Sequence, residues 1–369
     1  MSVDLAVFAA TSGHSGVDRV LRNLVPAIAR LGLQVDVLGV EGHGPKFEMP
    51  PQGVHLVPLG ARHVNSALPA LVRYLRRERP SAMLSDKDRV NRAAIFARWA
   101  AHVPTRVGVR LGTTVSVNLA SRGAWERAVQ TASMRWIYPA ADAVLVPSAG
   151  AADDLAEHAK LPRESISVVP SPIITARLHT LADEAPEHRW LIDGGAPVIL
   201  GVGELSERKD FACLVRAFAR VRATRPCRLL IYGEGRRRSE LEQLAAELGV
   251  AADVALPGFI GNPYPAMARA AVFALASRWE GMPVVLIEAL ALGTPSVACD
   301  CPSGPREVLD GGRVGPLVPV GDDAALAAAL ATQLDHPTPR ADSKAAVAGY
   351  TDEGSARAYL AALGFREFA

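Results

Sequence analysis

The segment SRWEGMPVVLIEALALGTP contains two carboxylates eight residues apart, Glu280 and Glu288. Both could accept hydrogen bonds from a ligand. The apolar run VFALAS just before this segment has the pattern of a buried strand, and RWEG would be the turn at its carboxyl end. Pro283 suits the first position of a helix, and Gly293 suits the position just past its end. We therefore predict a helix over 283–292, with Glu280 at its mouth and Glu288 about one and a half turns inside.

The start of this predicted helix would be an anion site, because free backbone N–H groups and the helix dipole both attract negative charge there. We expect the free amides to be those of Met282, Val284 and Val285. Glu288 needs a partner, since an unpaired buried carboxylate costs on the order of several kcal/mol. A vicinal diol suits it, because two hydroxyls can donate to the two carboxylate oxygens.

A sugar nucleotide would match this arrangement, with its ribose on Glu288, its diphosphate at the amides and its second sugar on Glu280. The alternative is structural: Glu280 is solvated, and Glu288 pairs with a neighbouring arginine. The spacing alone leaves both interpretations open.

The elements that would position these residues follow from an alternation of short apolar runs and helical patterns. Seven strand candidates precede residues 170–197 and six follow them, which is typical of βαβ units and parallel sheets. Residues 170–197 are rich in Pro, Gly and charge, and we predict a linker there. The predicted fold class is α/β, with two doubly wound parallel-sheet domains, 1–175 and 176–349, facing a cleft, and a helix in 350–369 that crosses back to the first domain.

Composition narrows the choice of partners. The formal net charge is only +2, which indicates no nucleic-acid partner, and the four scattered cysteines favour a reducing compartment. The first residues, MSVDLAVFAA, resemble a strand and not a signal peptide, so we expect a cytoplasmic protein. The segment from Arg62 to Arg135 contains thirteen Arg and one Lys but only four acidic residues, so it carries a local positive charge. Helices around Arg73, Arg76 and Arg77 could therefore rest on the inner face of the plasma membrane, or simply face water.

Several ordered motifs resemble those of family 4 retaining glycosyltransferases, which have the GT-B fold of two Rossmann-like domains. They are Glu-x7-Glu in EGMPVVLIEALALGTP, the segments GVGELSERKDFACLVRAF and LIYGEG, the LPGFI that follows, and the closing CPSGPREVLDGGRVGPLVPVGDDAAL. The similarity is strong over most of the second half of the chain and weaker over the first. Any one of these motifs would be weak evidence for the resemblance, but several of them in the same order are specific evidence.

The resemblance implies a role for each matching residue. Glu280 would contact the donor sugar, and Lys209 and Arg208 would neutralise the donor diphosphate. Glu288 would hold the ribose hydroxyls. Other donor-binding residues would lie in the glycine loop TSGHSGVDRV, in LPGF, and in the turn before the helix and the first residues of the helix: Gly16, Gly258, Phe259, Gly281, Met282, Pro283, Val284 and Val285.

The implied reaction moves a hexosyl or N-acetylhexosaminyl group from a nucleotide-sugar donor, with UDP expected, to a glycan or lipid-linked acceptor. The resemblance implies retention of the anomeric configuration, with the departing phosphate taking the acceptor proton. Negative charge would grow on the diphosphate oxygens, near Arg208, Lys209 and the helix start. This scheme needs neither a metal ion nor a cofactor.

Two residues depart from the family pattern. The usual Gly-Arg-Leu reads Gly-Glu-Leu here, with Glu204. Either Arg208 supplies the missing charge, or the donor phosphate is bound less tightly. Many members carry a His at a strand end in the first domain, where VRLGTTVS places Gly112. Either this chain works without that contact with the donor sugar, or His14 or Arg110 makes it, or the donor differs in size.

The segment SDKDRVN also contains polar residues at a predicted strand end. It contains Asp86-x-Asp88, and an Asp-x-Asp motif binds manganese in a different glycosyltransferase fold. Here the motif lies on the side where the resemblance places the acceptor, so we do not predict a metal site. Lys87, Asn91 and Arg110 are instead candidate acceptor contacts.

Two rival functions remain open at this stage. The first is a catalytically idle GT-B protein that only binds a sugar nucleotide, which the changes at Glu204 and Gly112 would favour. The second is a nicotinamide-dependent Rossmann oxidoreductase, because GVGELS resembles Gly-x-Gly-x-x-Gly and Glu234 could hold a ribose. That second interpretation leaves Glu280 and Glu288 unexplained.

Overall fold

The structure is a computed structural model that describes residues 3–11, 16–47, 49–112, 114–120 and 122–368. The chain divides into two compact units. Unit 1 contains the residues up to Ile173 together with those from Tyr350 onward, and unit 2 is Ile174–Gly349.

Unit 1 is built on a parallel sheet of seven strands in the order β3-β2-β1-β4-β5-β6-β7. Its strands are β1 (Leu5–Ala9), β2 (Val35–Gly39), β3 (Val54–Pro58), β4 (Ala82–Asp86), β5 (Arg106–Arg110), β6 (Ala143–Val146) and β7 (Ile166–Val168). The first six helices are α1 (Gly16–Arg30), α2 (Leu68–Glu78), α3 (Asp88–Ala101), α4 (Val115–Ala120), α5 (Ala124–Ile137) and α6 (Ala149–Ala159). In β1, Leu5 and Val7 pack into one core layer while Ala6 and Phe8 pack into the other. Both faces of the sheet are therefore buried, which explains the continuous apolar runs of the strands.

Unit 2 is built on a second parallel sheet, of six strands in the order β10-β9-β8-β11-β12-β13. Its strands are β8 (Val198–Val202), β9 (Arg228–Tyr232), β10 (Val254–Gly258), β11 (Val272–Leu275), β12 (Ser296–Cys299) and β13 (Leu317–Val318). Its helices are α7 (Ala176–Ala182), α8 (Phe211–Arg222), α9 (Arg238–Glu247), α10 (Tyr264–Arg269), α11 (Val284–Ala291), α12 (Pro305–Val308), α13 (Asp323–Asp335) and α14 (Arg340–Ala346).

The predicted fold class is confirmed, and each of the thirteen strand candidates is a strand. Helix α7 was missed, because it lies inside the stretch that was predicted as a linker. Thr175 caps it by accepting from the Leu178 N–H, and Leu178 and Ala182 are buried. The missed helix is thus a short amphipathic element that packs against α10.

The last helix of the chain, α15 (Asp352–Ala362), packs against α1 in unit 1. Gly108 in β5 makes room for it, because a Cβ there would lie 2.4 Å from the Leu363 side chain. The Tyr359 hydroxyl accepts a 2.6 Å hydrogen bond from Arg110 Nε at the end of β5. The end of the chain therefore helps to fix a buried arginine of the first sheet.

Each sheet reverses its strand order beside its first strand, between β1 and β4 in unit 1 and between β8 and β11 in unit 2. In open parallel sheets such a reversal leaves a crevice at the carboxyl ends of the two strands, where ligands bind. Within the described ranges, none of the helices has the length and apolarity to cross a bilayer.

Candidate active site

The crevice of unit 2 is formed by two loops that are tied to each other, one after β8 and one after β11. The Arg278 N–H donates to the Arg208 carbonyl at 2.8 Å. Arg278 Nε also donates to Asp210 Oδ2 at 2.9 Å, and Asp210 Oδ1 accepts from the Cys213 N–H at the start of α8. Asp210, which caps α8 after the first loop, thus also fixes the position of the loop after β11 through Arg278.

The carboxylate of Glu280 also joins these two loops. Lys209 Nζ donates to its Oε1 at 2.6 Å, and Ser277 Oγ donates to the same oxygen at 2.7 Å. Arg208 Nη1 donates to Oε2 at 2.7 Å. Only 4% of the Glu280 side chain is exposed, whereas 35% of Arg208 is exposed. Two cations around one carboxylate leave a net positive charge, which an anionic ligand can neutralise.

Lys209 is an ammonium group that the protein has largely removed from water. Burial lowers the pKa of Lys209 below its ordinary value, and the carboxylate of Glu280 opposes that effect. The charge of this lysine therefore depends on the anions that contact it.

Glu288 lies on α11, and 2% of the residue is exposed. Its Oε1 accepts a 2.9 Å hydrogen bond from the hydroxyl of Tyr264, the first residue of α10. Neither this tyrosine nor Ser277 was predicted as a site residue from the sequence. Tyr264 follows the dipeptide Asn262-Pro263, and its N–H donates to the Asn262 side chain at the start of α10. An Asn-Pro dipeptide indicates a turn, but it does not indicate the contact of Tyr264 with Glu288.

The predicted helix start is partly wrong. Pro283 is the cap residue with φ −80° and ψ 70°, and α11 begins only at Val284. These angles make an inverse γ-turn, in which the Val284 N–H donates to the Met282 carbonyl at 2.9 Å. The amide of Val284 is therefore occupied, and the prediction that it is free is wrong.

The neighbouring loop holds this turn from the other side. Ser303 Oγ donates to the Gly281 carbonyl at 3.2 Å. Gly304 has φ 99°, and a Cβ on it would lie 2.4 Å from Pro283 Cδ. Close packing of two loops thus sets the backbone of residues 281–283.

The residues expected at the nucleotide base lie at the end of β10. Gly258 has φ 108°, and a Cβ on it would come within 2.9 Å of Glu234 Oε1. Phe259, the next residue, is 80% exposed and offers an open aromatic face. Glu234 is paired with Arg238 at 2.7 Å, so the acid that an oxidoreductase would need for a ribose already holds a cation.

The glycines of GVGELS and YGEG have a packing explanation. A Cβ on Gly233 would lie 1.8 Å from the Gly203 carbonyl oxygen, and one on Gly235 would lie 2.3 Å from that of Leu205. The two loops are in backbone contact, and only glycine permits it. The side chain of Glu204, between them, is exposed.

In unit 1, two of the candidate acceptor contacts are fully buried. Asn91 Oδ1 accepts from Ser85, and its amide donates to the Arg110 carbonyl at 3.0 Å. Arg110 in turn donates to Asp86, to Tyr359 and to Ser171. These contacts indicate that Asn91 and Arg110 position the end of β4.

The other predicted residues of unit 1 that the structure describes are Lys87, Gly16 and Gly112. Lys87 is exposed, and Gly16 is the first residue of α1. A Cβ at Gly112 would lie 2.8 Å from Arg110 Nη1, so the glycine leaves room for that guanidinium. His14 lies outside the described residues. In the part of the chain that is described, no three His, Cys, Asp or Glu side chains form a cluster that could hold a metal ion.

Comparison with known proteins identifies the family. The model named "Glycosyl transferase 4-like domain" matches residues 15–172, and "Glycosyl transferases group 1" matches residues 196–336. The N-acetylgalactosamine-N,N'-diacetylbacillosaminyl-diphospho-undecaprenol 4-alpha-N-acetylgalactosaminyltransferase of Campylobacter jejuni is 30% identical over 340 residues, 90% of each chain. The chain belongs to the family 4 glycosyltransferases.

Two solved structures show that this glycosyltransferase has the GT-B fold. Anabaena Alr3699/HepE, solved in complex with UDP, has a TM-score of 0.77 at 17% identity, covering 98% of this chain and 100% of the other. The lipopolysaccharide outer core galactosyltransferase WaaB, in its apo form, has a TM-score of 0.73 at 18% identity and covers 99% and 100%.

Proposed function

We propose that this glycosyltransferase moves a hexosyl or N-acetylhexosaminyl group from a UDP-sugar donor to a glycan or lipid-linked acceptor, with retention of the anomeric configuration and without a metal ion. The observation that carries the proposal is the convergence of Arg208 and Lys209 on Glu280, in the crevice of unit 2. The Anabaena structure contains UDP, and the Campylobacter relative is named for a diphospho-undecaprenol acceptor. Both names support the substrate classes.

In the proposed donor complex, the diphosphate lies on Arg208 and Lys209, and Glu280 accepts from hydroxyls of the transferred sugar. Glu288 and Tyr264 hold the ribose, and Phe259 covers the base. The bond between the sugar C1 and the β-phosphate oxygen breaks, and its electrons pass to the diphosphate. The acceptor oxygen bonds to C1 on the same face, and its proton passes to a phosphate oxygen. The two cations stabilise the charge that grows on the leaving group, which is why no metal ion is needed.

The test is turnover of a panel of UDP-sugars, followed as UDP release, in the wild type and in Glu280→Gln. We expect the variant to lose about two to three orders of magnitude in turnover, because a neutral amide no longer polarises the sugar hydroxyls. UDP binding should be unchanged or tighter, since the variant leaves both cations in place. Glu247→Gln, the same change at an exposed residue at the end of α9, is the matched control.

Full turnover in Glu280→Gln would remove Glu280 from the mechanism. An absence of UDP binding in the wild type would remove the donor assignment itself. The anomeric coupling constant of the product tests retention, and unchanged rates in EDTA test the independence from metal ions.

We also propose that unit 1 rests on an anionic membrane at the inner face of the plasma membrane, the cytoplasmic side. Three exposed aromatic side chains support this, Phe96 and Trp99 on α3 and Trp136 on α5, which are 47%, 73% and 72% exposed. Helix α3 packs against both α5 and the arginine-rich α2. Tryptophan prefers the membrane interface, and arginine is attracted to anionic lipid heads.

Vesicle sedimentation tests the membrane proposal. We expect binding to vesicles of phosphatidylglycerol and phosphatidylcholine, little binding to phosphatidylcholine alone, and loss of binding as salt rises to about 0.5 M. Trp99→Ser with Trp136→Ser should reduce the bound fraction by about fivefold or more. Ile192→Ser, at a 60% exposed apolar residue of unit 2, is the control. Equal binding of the tryptophan variant and the control would contradict the proposed surface.

A further inference from the structure

The loop after β12 carries a serine in a backbone conformation that serine rarely adopts. Ser303 has φ 66°, which lies in the left-handed region. A Cβ makes this conformation costly, so a residue other than glycine persists there only where its surroundings hold it. Glycine would form the same turn without that cost. The strained serine therefore indicates a role that glycine does not supply.

The hydroxyl of Ser303 provides such a role. Ser303 Oγ donates to the Gly281 carbonyl at 3.2 Å, in the loop after β11. Packing beside this hydrogen bond leaves the two loops little freedom, because a Cβ on Gly304 would lie 2.4 Å from Pro283 Cδ. A glycine at position 303 would keep the close packing and lose the hydrogen bond. The serine thus adds a fixed direction for one carbonyl group.

The direction of the Gly281 carbonyl also sets the direction of the next amide. In a trans peptide unit the C=O and the following N–H point to opposite sides. In the sheet, β12 lies on one side of β11 and β8 lies on the other. Because the carbonyl is held from the β12 side, the Met282 N–H of the same peptide unit points to the β8 side. Arg208 and Lys209 contact Glu280 from that side.

The Met282 N–H is available to a ligand. None of the described residues accepts a hydrogen bond from it, and Met282 is partly exposed. An amide without a partner, beside two cations, favours an anion. Met282 follows two residues after Glu280, the acid proposed for the transferred sugar, whereas Glu288 is proposed for the ribose. The phosphate nearest to this amide would therefore be the one that carries the sugar.

We infer that Ser303 is a positioning residue for the glycosyl transfer: through the Gly281 carbonyl it directs the Met282 N–H at the sugar-bound phosphate of the donor. Negative charge grows on this phosphate as its bond to the sugar breaks. An amide that is already oriented stabilises that charge without reorganisation. Ser303 itself does not touch the donor. The inference rests on the proposed function and adds a residue that acts on the donor from a neighbouring loop.

A comparison of UDP with UMP, which lacks the sugar-bound phosphate, tests this role. Calorimetry on the full-length protein gives both affinities. We expect Ser303→Ala and Ser303→Gly each to weaken UDP binding about fivefold or more and to leave UMP binding unchanged, because only the terminal phosphate loses its oriented donor. Ser165→Ala is the matched control, since Ser165 Oγ donates to the Pro162 carbonyl at 2.7 Å in unit 1.

Thermal stability separates this role from a structural one. Glycine adopts φ 66° without strain, whereas alanine keeps the Cβ. Ser303→Gly should therefore have a higher Tm than Ser303→Ala, although both variants weaken UDP binding equally. Lys160→Gly, at φ 56° after α6, relieves similar strain in unit 1 and is expected to leave the affinity for UDP unchanged.

An unchanged ratio of UDP to UMP affinity in both Ser303 variants would overturn the inference. A loss in Ser303→Ala that Ser303→Gly does not share would also overturn it, because the loss would then follow the backbone strain and not the hydroxyl. An absence of UDP binding in the wild type would refute the proposed donor site, and this inference with it. Tight UDP binding with an unchanged ratio would refute the role of Ser303 alone.

Discussion

Lys209 keeps its charge in a place that water hardly reaches, and this makes the donor site sensitive to alkaline pH. Burial lowers the pKa of its ammonium below the ordinary 10.5. Below that lowered pKa the ammonium is present, and it is lost as pH rises through it. We therefore expect kcat/KM for the donor to have its maximal value near neutrality and to fall before pH reaches about 10.5.

Lys209→Arg identifies the group responsible, because a guanidinium stays protonated throughout this range. The alkaline fall in kcat/KM should move out of the measured range in this variant, whatever its absolute activity. The measurement is a pH profile from about 7 to 10.5 with donor below its KM. The same alkaline fall in both proteins would assign it to another group.

At the scale of single residues, the charged side chains of the site were predictable from the sequence, whereas its hydroxyl side chains were not. Glu280, Arg208 and Lys209 were predicted as one site, and the structure brings their side chains into contact. Ser277 and Tyr264 were missed, although each donates to one of the two site carboxylates. Serine and tyrosine are common in turns and helix starts for other reasons, so their presence alone did not indicate a contact.

At the scale of elements, the strands were predictable because both faces of each sheet are covered, which makes every strand a continuous apolar run. Helix α11 was predicted from Pro283 and Gly293, and it is shorter by one residue at each end. The γ-turn at its start was not predictable, since the proline ring fixes φ and leaves ψ to the packing of the neighbouring loop. That packing comes from Gly304, twenty-one residues along the chain.

Helix α7 shows a different limit. It has only seven residues, and Pro-rich and Gly-rich segments flank it, so the composition of the whole stretch indicated a linker. Its stability comes from contact with α10 and the turn before it: Asn262 Nδ2 donates to the Leu181 carbonyl at 2.9 Å, and Arg269 Nη1 at the end of α10 donates to the Ala182 carbonyl at 3.1 Å. A short helix that depends on a tertiary partner leaves a weak signal in its own sequence.

At the scale of the whole molecule, the four cysteines distinguish the two units. Cys213, Cys227, Cys299 and Cys301 all lie in unit 2, and all are buried. Burial raises the pKa of the Cys227 thiol to about 11 and that of each of the other three to about 12. Native thiols should therefore react very slowly near pH 8, and labelling requires unit 2 to open.

This makes thiol labelling a test of where the nucleotide binds. UDP that binds folded unit 2 should slow labelling by a factor of about one hundred at one hundred times its Kd, because only the unbound protein opens. Glu288→Ala should lose most of this protection at the same UDP concentration, since the ribose loses its carboxylate. Comparing each protein with and without UDP removes any difference in their intrinsic stability. Labelling that saturating UDP leaves unchanged, in a protein that binds UDP by calorimetry, would contradict a nucleotide site in unit 2.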